Sequence, residues 1–298
     1  MSAGIADRSA EEGQVSSAEP DATPLPDQPL VAPEASECPD QPPASPTQRP
    51  GGRRPGQPLL AGASAAAIMV AARWTRWLEP ELLGLPSLVG PGSVCVDVGA
   101  AAGIYTLPLA RLAGPTGIVH SVEPLPFAWP TLNRLLRVRS SRNVLHHAVA
   151  LGSEPGEASM SVPRGRHGLV TGRSFVSQHC LGLGSNAEFA QHITYPVPVD
   201  TLDRLLAETD HGRLDFIKID VEGAELHVLR GGTAVIESFR PAMLIEIEAR
   251  HTARYQYCPE DVVSWLRARG YAMYTWNRGW QQASEVTSGT RNYMFRAQ

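Results

Sequence analysis

Four cysteines, Cys38, Cys95, Cys180 and Cys258, are scattered through 298 residues, and no two form a C-x-x-C pair. That spacing fits neither a structural zinc site nor a disulfide framework, and a reduced cytoplasm is the simplest compartment. Positive charge is also scarce. With 26 Lys and Arg against 30 Asp and Glu, the net charge of -4 argues against a general nucleic-acid binder, which carries a basic excess. No long apolar run is present either: the candidate, Leu59 to Ala72 behind Arg53 and Arg54, falls short of the roughly 20 residues that cross a bilayer. It begins far from the N-terminus, so it reads as a packing helix rather than a targeting or transmembrane segment. Residues 1–58 hold no Phe, Trp or Tyr but 12 of the 26 prolines. Such a stretch buries too little apolar surface to offset its chain entropy, and a disordered Pro-rich tail is expected there.

Residues 59–298 then read as one domain. Its opening, 59–92, is expected to be a helical cap, with Ile68, Trp74, Trp77 and Leu78 near helical spacing between Ala63 and Leu83. From Ser93 onwards strands and helices alternate: strands in "VCVDV", "GIVHSVEP", "NVLHHAVAL", "LDFIKID", "PAMLIEIE", "YAMYTWN" and "RNYMFRA", and helices over 104–112, 130–139 and in "TLDRLLAE", "GAELHVLRGG" and "PEDVVSWLRARG". Strands such as "DFIKID" are apolar nearly throughout, which implies an α/β fold with a mostly parallel sheet and helices on both faces. Residues 152–198 break the alternation with many Gly, Ser and His residues, hold short strand-like pieces such as "EASMSV", and read as an irregular insert covering the substrate.

The stretch "VCVDVGAAAGIY", Val94 to Tyr105, places a loop of glycine and alanine after a buried strand. Ligands of open parallel sheets lie beyond the carboxyl ends of the strands. Small side chains there let a ligand approach the backbone, and the following helix adds free N–H groups. A dinucleotide site would want G-x-G-x-x-G. Here Gly99 and Gly103 give G-x-x-x-G with Asp97 two residues ahead, the pattern of an S-adenosylmethionine (SAM) site, where an acid can pair with the ammonium of the amino-acid head. Glu123, at the end of the second strand, can accept from both ribose hydroxyls. Close helix–strand packing also selects small residues, so the loop alone is a weak signal; the two acids strengthen it.

Together with "VDVGAAAGIYTLPLA", "VHSVEP", "VPVDTLDRLL" and "LIEIE", in this order, the stretch "FIKIDVEGAELHVLRGG" from Phe216 to Gly232 resembles the FkbM family of SAM-dependent methyltransferases over about Val94 to Glu248. The resemblance implies a Rossmann-like class I methyltransferase fold, with a seven-stranded sheet whose final strand runs antiparallel. It also implies methylation of hydroxyl groups on polyketides, sugars or glycolipids. By that resemblance Asp97, Gly99 and Gly103 would hold the methionyl end of SAM, Glu123 the ribose, and Ala148 the adenine. Asp220, Glu222, Gly223 and Glu225 match the signature near the point of methyl transfer. Ala101 departs from the Asn common in this loop, at the cost of one side-chain hydrogen bond, worth on the order of 1 kcal/mol.

Methyl transfer from a sulfonium is an in-line displacement, so positioning dominates and a base adds to it. Asp220 and Glu222 are candidates to accept the proton, or together to hold Mg²⁺ as hard oxygen ligands; Asp220 could equally bind SAM or cap the next helix. Glu246, ending "LIEIE", is a third catalytic candidate by placement, and Glu225 could be a plain helix residue. Lys218 needs a partner if buried, and Glu246 is one option. His146 and His147 read as strand residues; His167 and His179, in the insert, are weaker base candidates. A non-catalytic SAM-binding domain that engages partners through the tail is the alternative, with some footing in Ala101. An NAD-dependent dehydrogenase is disfavoured by the loop spacing.

Overall fold

The computed structural model describes residues 68, 69, 72, 78–127, 142–166, 168–207, 209 and 211–298. The expected tail, most of the expected cap, the expected helix at 130–139 and His167 lie outside them. The strands are β1 (Val94–Val98), β2 (Ile118–Val122), β3 (Val144–His147), β4 (Ala150–Leu151), β5 (Gly156–Gly165), β6 (Gly168–Leu169), β7 (Phe175–Val176), β8 (Gln191–Asp200), β9 (Phe216–Ile219), β10 (Ala242–Glu246), β11 (Tyr271–Trp276), β12 (Trp280–Ala283) and β13 (Asn292–Ala297). The helices are α1 (Thr106–Ala113), α2 (Leu202–Ala207), α3 (Glu225–Gly231), α4 (Thr233–Phe239), α5 (Ala249–Thr252) and α6 (Pro259–Arg267). Where the cap helix was expected to run on to Leu83, Pro80–Ser87 forms a 3-10 helix with Pro86 inside it.

The main sheet runs β12-β11-β13-β10-β9-β1-β2-β3. Strands β1, β2, β3, β9 and β10 pair in parallel, and β13 is antiparallel to both β10 and β11. That order, with the reversed β13 inserted between β10 and β11, is the Rossmann-like methyltransferase arrangement. It has eight strands rather than the expected seven, because Trp280–Ala283 folds back on β11 as a hairpin.

Period-two alternation sorts the strands' side chains between two cores. Val94, Val96, Val98, Ile217, Ile219, Met243 and Ile245 meet Leu205, Leu229, Ile236 and Val263 from α2, α3, α4 and α6. Cys95, Val119, Phe216, Leu244 and Met294 face the other way, onto Leu82, Leu85, Leu109 and Ala113. Toward the strands' carboxyl ends that second face turns polar. Ser121, Asp97, Lys218, Glu246 and Asn292 continue its rows, and all are buried.

The segment 152–198, expected to be irregular, is instead built mostly around a second, five-stranded sheet, in which β5 and β8 pair antiparallel from Gly156↔Val199 to Arg164↔Gln191. Three prolines interrupt the strand signature here. An antiparallel ladder uses every second amide, and Pro196 and Pro198 on β8 and Pro163 on β5 share the phase that points away from this ladder.

His120, on β2, is fully buried with Nδ1 3.0 Å from His147 Nε2 and its ring 5.3 Å from that of His211. Burial, with those two rings beside it, lowers its pKa to about 3. The unfolded imidazole protonates near 6.5 while the folded one stays neutral, so stability is lost as pH falls from about 6.5 towards 3. Chemical denaturation at pH 7 and pH 5 should show this loss, up to about 1.4 kcal/mol per pH unit. His120→Leu should flatten the slope, and an unchanged slope would count against this origin.

Candidate functional site

Gly99 opens the loop after β1 at φ +80°, and a Cβ there would lie 1.8 Å from the backbone oxygen of Asp220. The glycine is therefore demanded by contact between two chain segments, the loop and the turn after β9. Ala101 N donates to Glu123 Oε2 at 2.9 Å, and Leu125 N to Glu123 Oε1 at 2.9 Å. Glu123 thus clamps the loop from the end of β2. Ala101 itself sits at φ +42°. Asn tolerates that left-handed region better than alanine does, which gives the Asn common in such loops a conformational reason.

Gly103 N donates to Ala100 O at 2.7 Å and closes the turn into α1. Asp97 does not line the cleft. It is buried beneath the loop, where its Oδ2 accepts from Thr106 Oγ1 at 2.5 Å. Burial raises its pKa to about 6, against the pull of Thr106 and Lys218. Its place favours holding the loop on α1 over touching a ligand's ammonium.

Above the loop lies a cleft of about 710 Å³, counting its open mouth. Gly99, Ala101 and Glu123 form one wall, Val122, Leu125, Val149 and Leu151 an apolar second, and Asp220, Val221, Glu222 and Ala224 a third. Met160, Thr171, Gly172, Ser174 and Val176 of the second sheet's segment complete it. Ala148, expected at the adenine, is exposed and outside the lining, and its neighbour Val149 is the wall residue. Both residues lie in the two-residue link between β3 and β4.

The third wall is densely acidic. Lys218, 1% exposed, donates to Asn292 Oδ1 at 2.9 Å, pairs with Asp220 Oδ2 at 3.4 Å, and lies 5.0 Å from the centre of the Tyr105 ring. Burial alone would raise Asp220's pKa, but Lys218 and a hydrogen bond from Glu246 outweigh it and keep Asp220 ionised. Glu246 goes the other way, to about 10, through burial and the neighbouring Asp220 charge. It is brought to Asp220 and does not itself line the cleft. Glu222, at φ +55°, is raised to about 8 by burial and by Asp220, against Arg173 and Arg254. Its Oε2 lies 3.2 Å from His251 Nε2 and 3.9 Å from Arg173 Nε.

Glu225 braces the turn, accepting from Gly223 N at 2.8 Å and from Tyr257 Oη at 3.3 Å. Asp220 and Glu222 therefore take different partners and do not make the joint Mg²⁺ site the sequence suggested. Two other groups of three converge among the described residues, Glu222–Glu246–His251 and Glu79–Asp220–Glu246. His179 stacks on His227 in a neighbouring cavity, away from the acids. His251, Arg173 and Glu79 were not singled out from sequence; His251 follows a parallel strand's tip, where a ligand-facing residue is expected.

The sheet order and the cleft above the loop after β1 are those of the class I methyltransferase fold. The Methyltransferase FkbM domain matches residues 97–273, more than half of the chain, and the chain belongs to that family. Methyltransferase 1 of Beauveria bassiana (strain ARSEF 2860) is 28% identical over 149 residues, covering 47% of this chain and 58% of that protein, so the chain spans little more than half of that relative's length. Among solved structures, methyltransferase FkbM of Methylobacillus flagellatus KT aligns with a TM-score of 0.42 at 16% identity, over 78% of this chain and 59% of that one. Aeropyrum pernix fibrillarin with natively bound S-adenosyl-L-methionine aligns with a TM-score of 0.39 at 14% identity, over 70% and 67%.

Two substitutions in the loop should act in opposite directions. Gly99→Ala forces a Cβ onto the Asp220 carbonyl and should cost at least about 3 kcal/mol or prevent folding. Ala101→Gly, or Ala101→Asn, should stabilise by about 0.5–1 kcal/mol by relieving the left-handed alanine. Thermal unfolding of the variants checks both, and a tolerated Gly99→Ala would contradict the packing account.

Proposed function

We propose that the chain transfers the methyl group of SAM to a hydroxyl of a small-molecule acceptor, a polyketide, sugar or glycolipid, with Glu222 as the proton acceptor. One observation carries this reading: a carboxyl group with its pKa raised to about 8 lines the cleft beside an ionised one. A base poised near the working pH is what hydroxyl deprotonation asks for.

The residues present fit the cofactor. Glu123, a carboxyl group in the cleft wall, suits the ribose hydroxyls, the apolar wall suits a purine, and ionised Asp220 suits the cationic end. The cofactor supplies an electrophilic methyl carbon on a sulfonium. The chain's own contribution is to orient the acceptor oxygen against it, to exclude water under the segment carrying β5 to β8, and to take the proton on Glu222. Asp220 is a SAM-binding and charge-stabilising group on this reading. Glu246 is a positioning residue that hydrogen-bonds Asp220, and Asp97 positions the loop through Thr106.

A binding-only module finds less support. The Ala101 loop keeps its left-handed turn and its bond to Glu123 without the Asn, so the departure leaves the cradle formed. Among the described residues no helix is long and apolar enough to cross a membrane, which leaves a soluble or a lipid acceptor open to the second sheet's segment.

Transfer of a labelled methyl group into a panel of hydroxylated sugars, polyketides and glycolipids tests the proposal. Because the base must be ionised, turnover should rise with pH and level off above about 8. Glu222→Gln should remove that rise and lower kcat by about 10²-fold or more, with SAM affinity little changed. Glu123→Gln should instead weaken SAM binding by about tenfold, one charge-assisted hydrogen bond. A pH profile in Glu222→Gln that matches the parent would take the base role away from Glu222.

A further inference from the structure

Glu222 stands two residues beyond Asp220 in the turn after β9, Glu246 ends β10, and His251 lies on α5 just after it. Neighbouring parallel strands thus deliver three donors to one crevice. We propose that Glu222, Glu246 and His251 bind a divalent transition-metal cation, Mn²⁺ or Zn²⁺, beside the cleft that Glu222 lines. This goes beyond the methyl-transfer reading and stands apart from it.

One donor atom from each residue lies within 4.8 Å of the others, and all three residues are buried. Bonds of about 2.1 Å to one cation put adjacent donors about 3 Å apart and opposite ones about 4.2 Å apart, so small side-chain rotations close the set.

The second observation is the state of the facing atoms. His251 is 2% exposed, yet its Nε2 makes no hydrogen bond, and neither does Glu222 Oε2 opposite it at 3.2 Å. Buried polar atoms without partners are rare and call for one. The nearby guanidinium groups do not supply it. Arg173 Nε stops 3.9 Å from Glu222 Oε2 while its other nitrogens bond Glu188, Ser185 and Asn186. Arg254 lies 3.7 Å over the Phe175 ring and donates to the backbone oxygen of Glu222.

Donor chemistry selects the metal. An imidazole with two carboxylates suits borderline cations, whereas Mg²⁺ prefers oxygen alone. The competing group, Glu79–Asp220–Glu246, is already served: Tyr105 Oη donates to Glu79 Oε2 at 2.5 Å and Lys218 pairs with Asp220. A cation at His251 would occupy one oxygen of Glu222 and leave the other free, and would draw Glu246 from Asp220.

The test is titration of the full chain with Mn²⁺ in the absence of SAM and acceptor, followed by electron paramagnetic resonance. One Mn²⁺ should bind per chain, and pulsed measurements should show coupling to a ¹⁴N nucleus. His251→Gln should abolish that coupling, and Glu246→Gln should weaken binding by tenfold or more, with circular dichroism confirming the fold. Absence of Mn²⁺ and Zn²⁺ binding up to about 1 mM, far above the range of protein sites of this donor set, would overturn the proposal. Bound Mn²⁺ without nitrogen coupling in the parent protein would also overturn it, even if the variants failed to fold. A chain that binds Mn²⁺ in this way but no SAM would sink the methyl-transfer reading and leave the metal site standing.

Discussion

The whole acidic wall depends on one buried cation. Lys218 sits in the middle of the sheet on β9, 1% exposed, with Asp97 on the paired strand beside it. Burial would strip its proton, but the surrounding acids, Asp220, Glu79, Glu246 and Asp97, outweigh burial and keep the ammonium charged. The dependence runs both ways: Asp220, half-buried at the cleft, is held ionised by that ammonium 3.4 Å away and by a hydrogen bond from Glu246. An uncompensated buried charge costs several kcal/mol, so neither side of this arrangement is stable without the other.

From that pairing the geometry of the turn follows. Asp220's backbone oxygen receives the loop after β1 so closely that only glycine fits at position 99. Glu222 and Gly223 then both take left-handed backbone, φ +55° and +108°. A Cβ at position 223 would meet the His251 oxygen at 2.4 Å. Strain of this kind persists only where surroundings over-determine it, and here Glu225 and Tyr257 brace the turn from below, with Tyr257 Oη donating to the Gly223 oxygen. The loop and the signature turn, 120 residues apart in sequence, are therefore one packed unit.

Much of this was legible in the chain. The alternation of apolar strands with helices foretold the sheet, the family resemblance implied the final reversed strand, and "VCVDVGAAAGIY" with "FIKIDVEG" located the crevice. Of the second sheet only "EASMSV", on β5, showed as strand-like; the prolines on β5 and β8 interrupt the usual strand signature, and they fall where the ladder needs no amide. The hairpin strand Trp280–Ala283 carries too few apolar residues to announce itself. Side-chain direction was the other gap. Asp97 lies at a strand tip as expected, but its period-two phase sends it with Cys95 to the α1 face, away from the cleft, and in the link after β3 it is Val149 rather than Ala148 that reaches the wall. His251 escaped notice because the turn that follows β10 has no sequence signature of its own.

The acids of the wall end up with different jobs because their surroundings differ, although their side chains are nearly alike. Asp220 has the ammonium and stays charged. Glu246, beside that charge, keeps a proton and gives it to Asp220 as a hydrogen bond. Glu222 is farther from Lys218 and nearer two guanidinium groups that do not quite reach it, and its pKa settles between the two. Graded in this way, three carboxyl groups supply a fixed negative charge, a neutral donor and a proton acceptor within one crevice. Environment thus does for like residues what a mixture of residue types does elsewhere. Burial pushes all three upward, and what separates them is the charge each one faces: Lys218 beside Asp220, the ionised Asp220 beside Glu246, and Asp220 opposed by Arg173 and Arg254 at Glu222.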